Sequence, residues 1–256
     1  MVYRVNGREV SDGMTPQAQA TGRVARRRQA TLAEIRATVR RLLNKGGPPA
    51  VTINAVAREM GMSGPAVYRY YASHDELVEA VIADFYDELT EAIVAARDAQ
   101  PADAHGARLL AACRAMRGWA TTHSTEFTWM FASPAPPFDE RGDDSPRRRS
   151  GQAFERVFFD LIVDVWAVAP FPVPGPADLP LALREQLARY ADETGGLLPP
   201  EAMHVFLSGW IKLYGLLCME VLRQLDFARI DLEPVFEECL RDLCATHGLT
   251  YEPPVR

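Results

Sequence analysis

Residues 52–77 read TINAVAREMGMSGPAVYRYYASHDEL, and the spacing inside this stretch predicts two short helices joined at a tight turn. Thr52 stands where a helix N-cap belongs, and Ile53, Val56, Ala57 and Met60 follow on one side of the helical wheel. Gly61 ends that helix, since a residue without Cβ adopts the left-handed backbone of a helix C-terminus without strain. Only Gly61, Met62 and Ser63 intervene before GPAVYRYY, where Ser63 is the next cap and Pro65 lies in the first turn, the one place a helix tolerates it. Two helices joined this way make a helix-turn-helix unit.

Working outward, Ser73 and Glu76 form a capping box ahead of a long helix carrying Leu77, Val81, Phe85, Leu89 and Ile93. Upstream, Thr31 and Glu34 form another, and Leu32, Ile35, Val39, Leu42 and Leu43 recur at helical spacing until Gly46, Gly47, Pro48 and Pro49. Residues 1–29 show no sustained period and mix Gly, Pro, Ser and Asp with Arg, so they are expected to form a flexible basic arm. A helix-turn-helix domain is expected over 30–76 and a helical body over 77–250. In the body, helices are expected near 104–122, over HSTEFTWMF at 123–131, and near 150–168, 200–224 and 232–246. The segments SPAPPFDERGDDSPRRRS and APFPVPGPADLP, dense in Pro, Gly and charge, read as loops, and within the first Arg147, Arg148 and Arg149 read as solvated surface. No strand pattern or internal repeat appears, so the fold class is all-α.

Charge is distributed unevenly along the chain. Residues 1–71 hold 12 basic and 4 acidic side chains, so of the formal net charge of -6 the head carries +8 and the remainder -14. A basic head on an acidic body directs the head, and not the body, at a polyanion. With 256 residues, 48% of them hydrophobic, the chain can bury a full core. No apolar run approaches the ~18–20 residues that cross a bilayer, and the stretch after Met1 is polar and basic, so a cytoplasmic protein is expected. Cys113, Cys218, Cys239 and Cys244 show no CxxC spacing and read as free thiols, and Cys239, Cys244 and His247 lack the fourth ligand a metal would need. No nucleophile elbow, phosphate-cradling glycine loop, paired zinc ligands or HExxH is present; neither catalysis nor a cofactor is expected.

The stretch quoted at the outset resembles the DNA-binding head of the TetR family of regulators through Thr52, Ile53, Val56, Ala57, Gly61, Met62, Ser63, Val67, Tyr68, Tyr70, Tyr71, Ser73 and Leu77. His74 departs from the pattern, standing where the family usually has Lys. The resemblance covers about 47 residues closely, and it implies a short third helix lying in the major groove and a body that dimerises through its last two helices. It also implies that Ser63, Gly64, Pro65 and Ala66 approach the DNA with little bulk, and that Tyr68, Arg69 and Tyr71 project from the same helix. Thr52, Tyr70 and His74 would meet the phosphate backbone, and Arg69 a base edge or a nearby phosphate. Val67, Tyr68 and Tyr71 have packing of the head as their alternative role. Arg23, Arg26, Arg27 and Arg28 would follow the backbone or enter the minor groove, or else form a solubilising tail.

The resemblance further implies a small-molecule pocket among the aromatic central helices, with Trp119, Phe127, Phe131, Phe158, Trp166 and Trp210 as candidates beside a core role. Few charges accompany these residues, so an apolar or aromatic effector is expected. Trp210, Leu213, Leu217, Val221, Phe236, Leu240 and Leu243 are the candidate dimer seam, with packing inside one subunit as the alternative. A homodimer follows because one head makes too few contacts for specific affinity, whereas two span half-sites ~34–36 Å apart or a multiple on a palindromic operator. The overall expectation is a ligand-responsive regulator, a repressor by default. Its rivals are an enzyme and a helical interaction protein that keeps the head without using it.

Overall fold

A computed structural model describes residues 16–132, 144–175 and 177–254, with side chains from Arg23 onward. Ten helices appear among them: α1 (Pro16–Gly46), α2 (Ile53–Glu59), α3 (Gly64–Val67), α4 (His74–Asp98), α5 (His105–Thr122), α6 (Ser124–Phe131), α7 (Pro146–Val168), α8 (Leu181–Glu193), α9 (Pro200–Val221) and α10 (Leu232–Thr246). Single turns of 3-10 helix lie at Pro48–Ala50 and Asp226–Ala228, and no strand occurs among the described residues.

Caps build the head. The Thr52 hydroxyl accepts from the Ala55 amide at 3.1 Å, and Gly61 takes a φ of 64°. The Met62 amide then reaches the Ala57 carbonyl at 2.8 Å and the Gly61 amide the Arg58 carbonyl at 3.2 Å, the paired bonds of a glycine-terminated helix. Ser73 accepts from the Glu76 amide at 3.0 Å, while the Glu76 carboxylate receives the Ala72 amide, one residue earlier than a standard capping box. Ile35, Val39, Leu43, Val56, Val67 and Leu77 close the small core that these ends define.

Three expectations are corrected. The first helix does not start at Thr31; α1 runs back to Pro16, and the Thr31 hydroxyl donates to the Arg27 carbonyl at 3.0 Å as a mid-helix residue does. Ala, Gln and Arg crowd that segment, and their helix propensity carries the helix through a position where a cap was available. Residues 16–29 are therefore helical rather than a flexible arm; residues 1–15 lie outside the described set. Second, α8 stands where no helix was expected, with Leu187 and Ala191 buried on one face. Third, Ser145 accepts from the Arg148 amide at 3.3 Å and Pro146 occupies the first turn of α7, so Arg147, Arg148 and Arg149 are helical. Arg147 is buried, with Glu79 of α4 at 3.6 Å, instead of standing on a solvated loop. The rest of that loop, residues 133–143, falls outside the described residues.

In the body, α4 packs against α5 and α7, and α9 packs against α5, α6, α8 and α10. By length and composition α9 is long and apolar enough to cross a membrane, a test that a core helix also passes; its Ala202, Met203, Val205, Phe206, Leu213 and Leu217 are buried inside the fold. Gly209 lets α10 approach it, because a Cβ there would lie 2.7 Å from Leu243 Cδ1. Four residues expected at a dimer seam, Leu213, Leu217, Phe236 and Leu240, are buried within the single chain, and Trp210, Val221 and Leu243 are half-buried against its core. A helical apolar stripe marks burial without naming the partner. The outward side of α9 instead carries Ile211 at 68% exposure, Met219 at 39%, and Gly215 with open space at its Cβ position.

Candidate nucleic-acid interface

At the outer end of the head, Ser63 occupies the N-cap position of α3 with its hydroxyl uncommitted to a cap bond. Ser63, Pro65 and Arg69 are exposed, Tyr68 is 52% exposed, and Gly64 and Ala66 are half-buried. The result is a small-residue tip flanked by an aromatic ring and a guanidinium. Gly64 sits close against α2, where a Cβ would be 3.3 Å from Asn54 Oδ1. Val67 is fully buried, as its packing role requires.

Tyr71 is corrected: at 5% exposure it belongs to the head's core, where its hydroxyl accepts from Arg36 at 3.4 Å, and burial pushes its pKa up. It lies on the inner side of the turn after α3, not on the outer side with Tyr68. Tyr70 is half-buried beneath Arg28, whose guanidinium lies 5.3 Å from the ring centroid and donates to the Arg69 carbonyl at 3.4 Å. Arg28 thus braces the segment after α3 from α1. Arg23, Arg26 and Arg27 are exposed along α1. Thr52 is exposed, and because its oxygen accepts the cap bond its hydroxyl proton remains available to an acceptor. His74 Nε2 lies 2.8 Å from the Val51 carbonyl and therefore carries a proton, and Nδ1 lies 3.6 Å from Asp75.

The head joins the body through a polar cluster that sequence reading missed. Arg40 of α1 donates to Glu88 of α4 at 2.6 and 3.2 Å and to Glu126 of α6 at 2.8 Å, with its guanidinium 5.1 Å from the Phe85 ring centroid. Asn44 adds a 3.0 Å bond to the same Glu126 oxygen. Glu126 is 3% exposed; burial alone would raise its pKa, but Asn44 and Arg40 outweigh that and hold it below the ordinary glutamate value. Glu88 is also held low, first by Arg40 and then by the Trp119 indole, which donates at 3.1 Å. Arg36 pairs with Asp84 of α4 alongside. An acid inside the apolar run HSTEFTWMF was the one available signal.

The body contains a cleft of about 650 Å³ between α7, α8 and α9. Of the expected pocket residues, Trp210 lines it, and Phe158 and Trp210 line an adjoining crevice of about 20 Å³, room for little more than one water. Trp119, Phe127, Phe131 and Trp166 line neither cavity. Phe127 and Phe131 belong to a packed cluster with Tyr214, Trp119 stacks on His123, and Trp166 packs on Phe171. Charged residues absent from the sequence expectation do line the cleft: Glu155, Arg156 and Glu193.

Comparison with known proteins bears on both halves of the chain. The family model for bacterial regulatory proteins of the tetR family matches residues 35–81, and that for the tetracyclin repressor-like C-terminal domain matches residues 109–243. Two HTH-type transcriptional regulators, Rv1816 of Mycobacterium tuberculosis and Mb1846 of Mycobacterium bovis, are each 36% identical over 148 residues. Those alignments take in 56% of this chain and 61% of each relative, so the chain spans less than two thirds of the curated relatives it matches. Among solved structures, SCO4313, a candidate regulatory protein, superposes with a TM-score of 0.66 at 28% identity over 86% of this chain and 98% of its own. A Rhodococcus sp. RHA1 protein of unknown function shares the fold at a TM-score of 0.62 and 18% identity, over 85% and 94% of the two chains.

Proposed function

The chain belongs to the TetR family of transcriptional regulators, and from that premise we propose that it grips a palindromic operator as a homodimer and changes its grip when a small effector enters the body. Repression is the expected sign of regulation and the cytoplasm the expected place, and the reading needs no catalytic step and no cofactor. The observation that carries it is the exposed tip of α3: Ser63, Gly64, Pro65 and Ala66 let the backbone come close to base edges, while Tyr68 and Arg69 flank the approach. Thr52, Tyr70, His74 and Arg28 stand around that tip for phosphate contact.

The homodimer would form on the outward sides of α9 and α10, with Ile211, Gly215 and Met219 at its centre, rather than on the inner stripe read from sequence. An effector acts only through unequal affinity for two head spacings. Arg40, tied to α4 and α6 at once, supports a route from body to head.

Selection of binding sites from a random duplex pool tests this reading. The expected product is a two-fold symmetric motif. Arg69→Ala should lower affinity for it by about 1–3 kcal/mol, relaxing preference at the base pairs it meets. Duplexes recovered without any shared motif at moderate salt would instead favour a helical protein that keeps its head without using it.

A further inference from the structure

Phe159 of α7 and Phe206 and Trp210 of α9 form the apolar walls of the cleft between α7, α8 and α9, and Tyr190 of α8 adds a phenol. Phe159 and Phe206 meet edge to face at 5.7 Å and are themselves buried, while Trp210 and Tyr190 are half-buried and keep accessible ring surface. Glu155 stands on the α7 wall and Glu193 on the α8 wall. Among the described residues neither carboxylate has an ion pair or a hydrogen bond. The one guanidinium lining the cleft, Arg156, is already held by Asp160 at 2.5 Å and lies 5.5 Å from the Phe159 ring centroid. Its charge is answered by a carboxylate that is not among the cleft's lining residues, so the two solvent-exposed carboxylates, Glu155 and Glu193, set the sign of the charge along the lining.

We propose that this cleft selects a lipophilic cation, an organic molecule with a permanent positive charge and aromatic or aliphatic bulk; the inference rests on the reading of the body as an effector-binding domain. Aromatic faces attract a cation through their quadrupole, and carboxylates on two walls attract it directly. A neutral apolar guest would strip water from Glu155 and give nothing back, and an anion would be repelled by both acids. The surroundings of the two acids agree. Desolvation holds the Glu155 pKa above the ordinary glutamate value, and the Tyr190 hydroxyl is pushed up by its own burial and then by the fields of Glu155 and Glu193. At about 650 Å³ the cleft lies within the ordinary size range of small-molecule sites. An apolar or aromatic effector was expected from the sequence; the charge requirement is new and comes from Glu155 on α7 together with Glu193 on α8, the helix that sequence reading passed over.

Tetraphenylphosphonium and tetraphenylborate have the same shape and opposite charge, and titration of each into the full chain by calorimetry tests the proposal without DNA present. Benzyltrimethylammonium and its uncharged isostere neopentylbenzene repeat the comparison at smaller size. The cations are expected to bind at least about tenfold more tightly than their partners. The double variant Glu155→Gln, Glu193→Gln should lose most of that preference while melting within about 2 °C of the wild type. Equal or tighter binding of the borate, an unchanged preference in the double variant, or no binding of either cation overturns the proposal. Operator selection is read separately. A protein that selects an operator yet ignores both cations refutes only the cleft chemistry, whereas one that binds the cations but selects no operator refutes only the regulator reading.

Discussion

Replacing Glu126 by Gln isolates the ionic joint between head and body. The carboxylate is 3% exposed and receives Arg40 at 2.8 Å and Asn44 at 3.0 Å on one oxygen. Deleting one partner of a buried pair costs about 3–5 kcal/mol when the other charge is stranded. Arg40 is not stranded, because Glu88 still holds it in two bonds, and Gln retains an acceptor oxygen. The loss should therefore be smaller, about 1–2 kcal/mol, a charged hydrogen bond reduced to a neutral one. In a chain of this size that lowers Tm by about 2–8 °C. The pH dependence supplies the second readout. Since Glu126 is held below the ordinary value of 4.5, its contribution is complete above that value and disappears as pH falls through the lower folded-state value. The gap between wild type and variant should be constant from about pH 6 to 8 and close on acidification below about 4.5. Glu88 is common to both proteins and drops out of the difference to first order. Chemical denaturation across that range is the assay. Coincident curves at pH 7, or a gap that widens on acidification, would refute the reasoning.

Arg23, Arg26 and Arg27 changed together to Ala should flatten the dependence of log K on log salt by about 0.9 for each phosphate they neutralise, at any sequence; equal slopes in gel-shift titrations would remove them from the interface. Gly209→Ala places a methyl 2.7 Å from Leu243 Cδ1 and should cost about 1–3 kcal/mol by urea denaturation, with an unchanged midpoint counting against close α9–α10 packing. Ile211→Glu, at a position 68% exposed, should leave the protomer folded by circular dichroism yet shift sedimentation toward monomer, and an unaltered sedimentation coefficient would move the dimer seam elsewhere.

The helix-turn-helix was legible because its signals are local. Thr52, Gly61 and Ser73 each fix a helix end through bonds to residues no more than five positions away. The start of α1 was misread for the same reason: T-x-x-E is a sufficient cap, but nothing in four residues reveals that the chain before it prefers helix too. The Arg40–Glu126 joint spans 86 positions, and no spacing rule brings those two together. Leu213, Leu217, Phe236 and Leu240 were correctly read as apolar faces, yet periodicity reports burial and cannot distinguish a neighbouring helix from a second subunit. The cleft was hidden by a similar limit. The aromatic residues at helical spacing mostly fill one another's space, and the cavity lies where α8, following a Pro-rich segment, meets the packed pair α7 and α9.

The continuity of α1 has a mechanical consequence. Among the described residues the exposed arginines begin at Arg23, while Arg40 and Asn44 on the same unbroken helix are bolted to the body. At 1.5 Å per residue the two stations lie about 26 Å apart on a single stiff rod. A tilt of about 5° at the bolted end sweeps the far end through about 2 Å, enough to lift a guanidinium out of hydrogen-bond reach of a phosphate oxygen. A small repacking under α6 would thereby be amplified by leverage, with no hinge needed along the way.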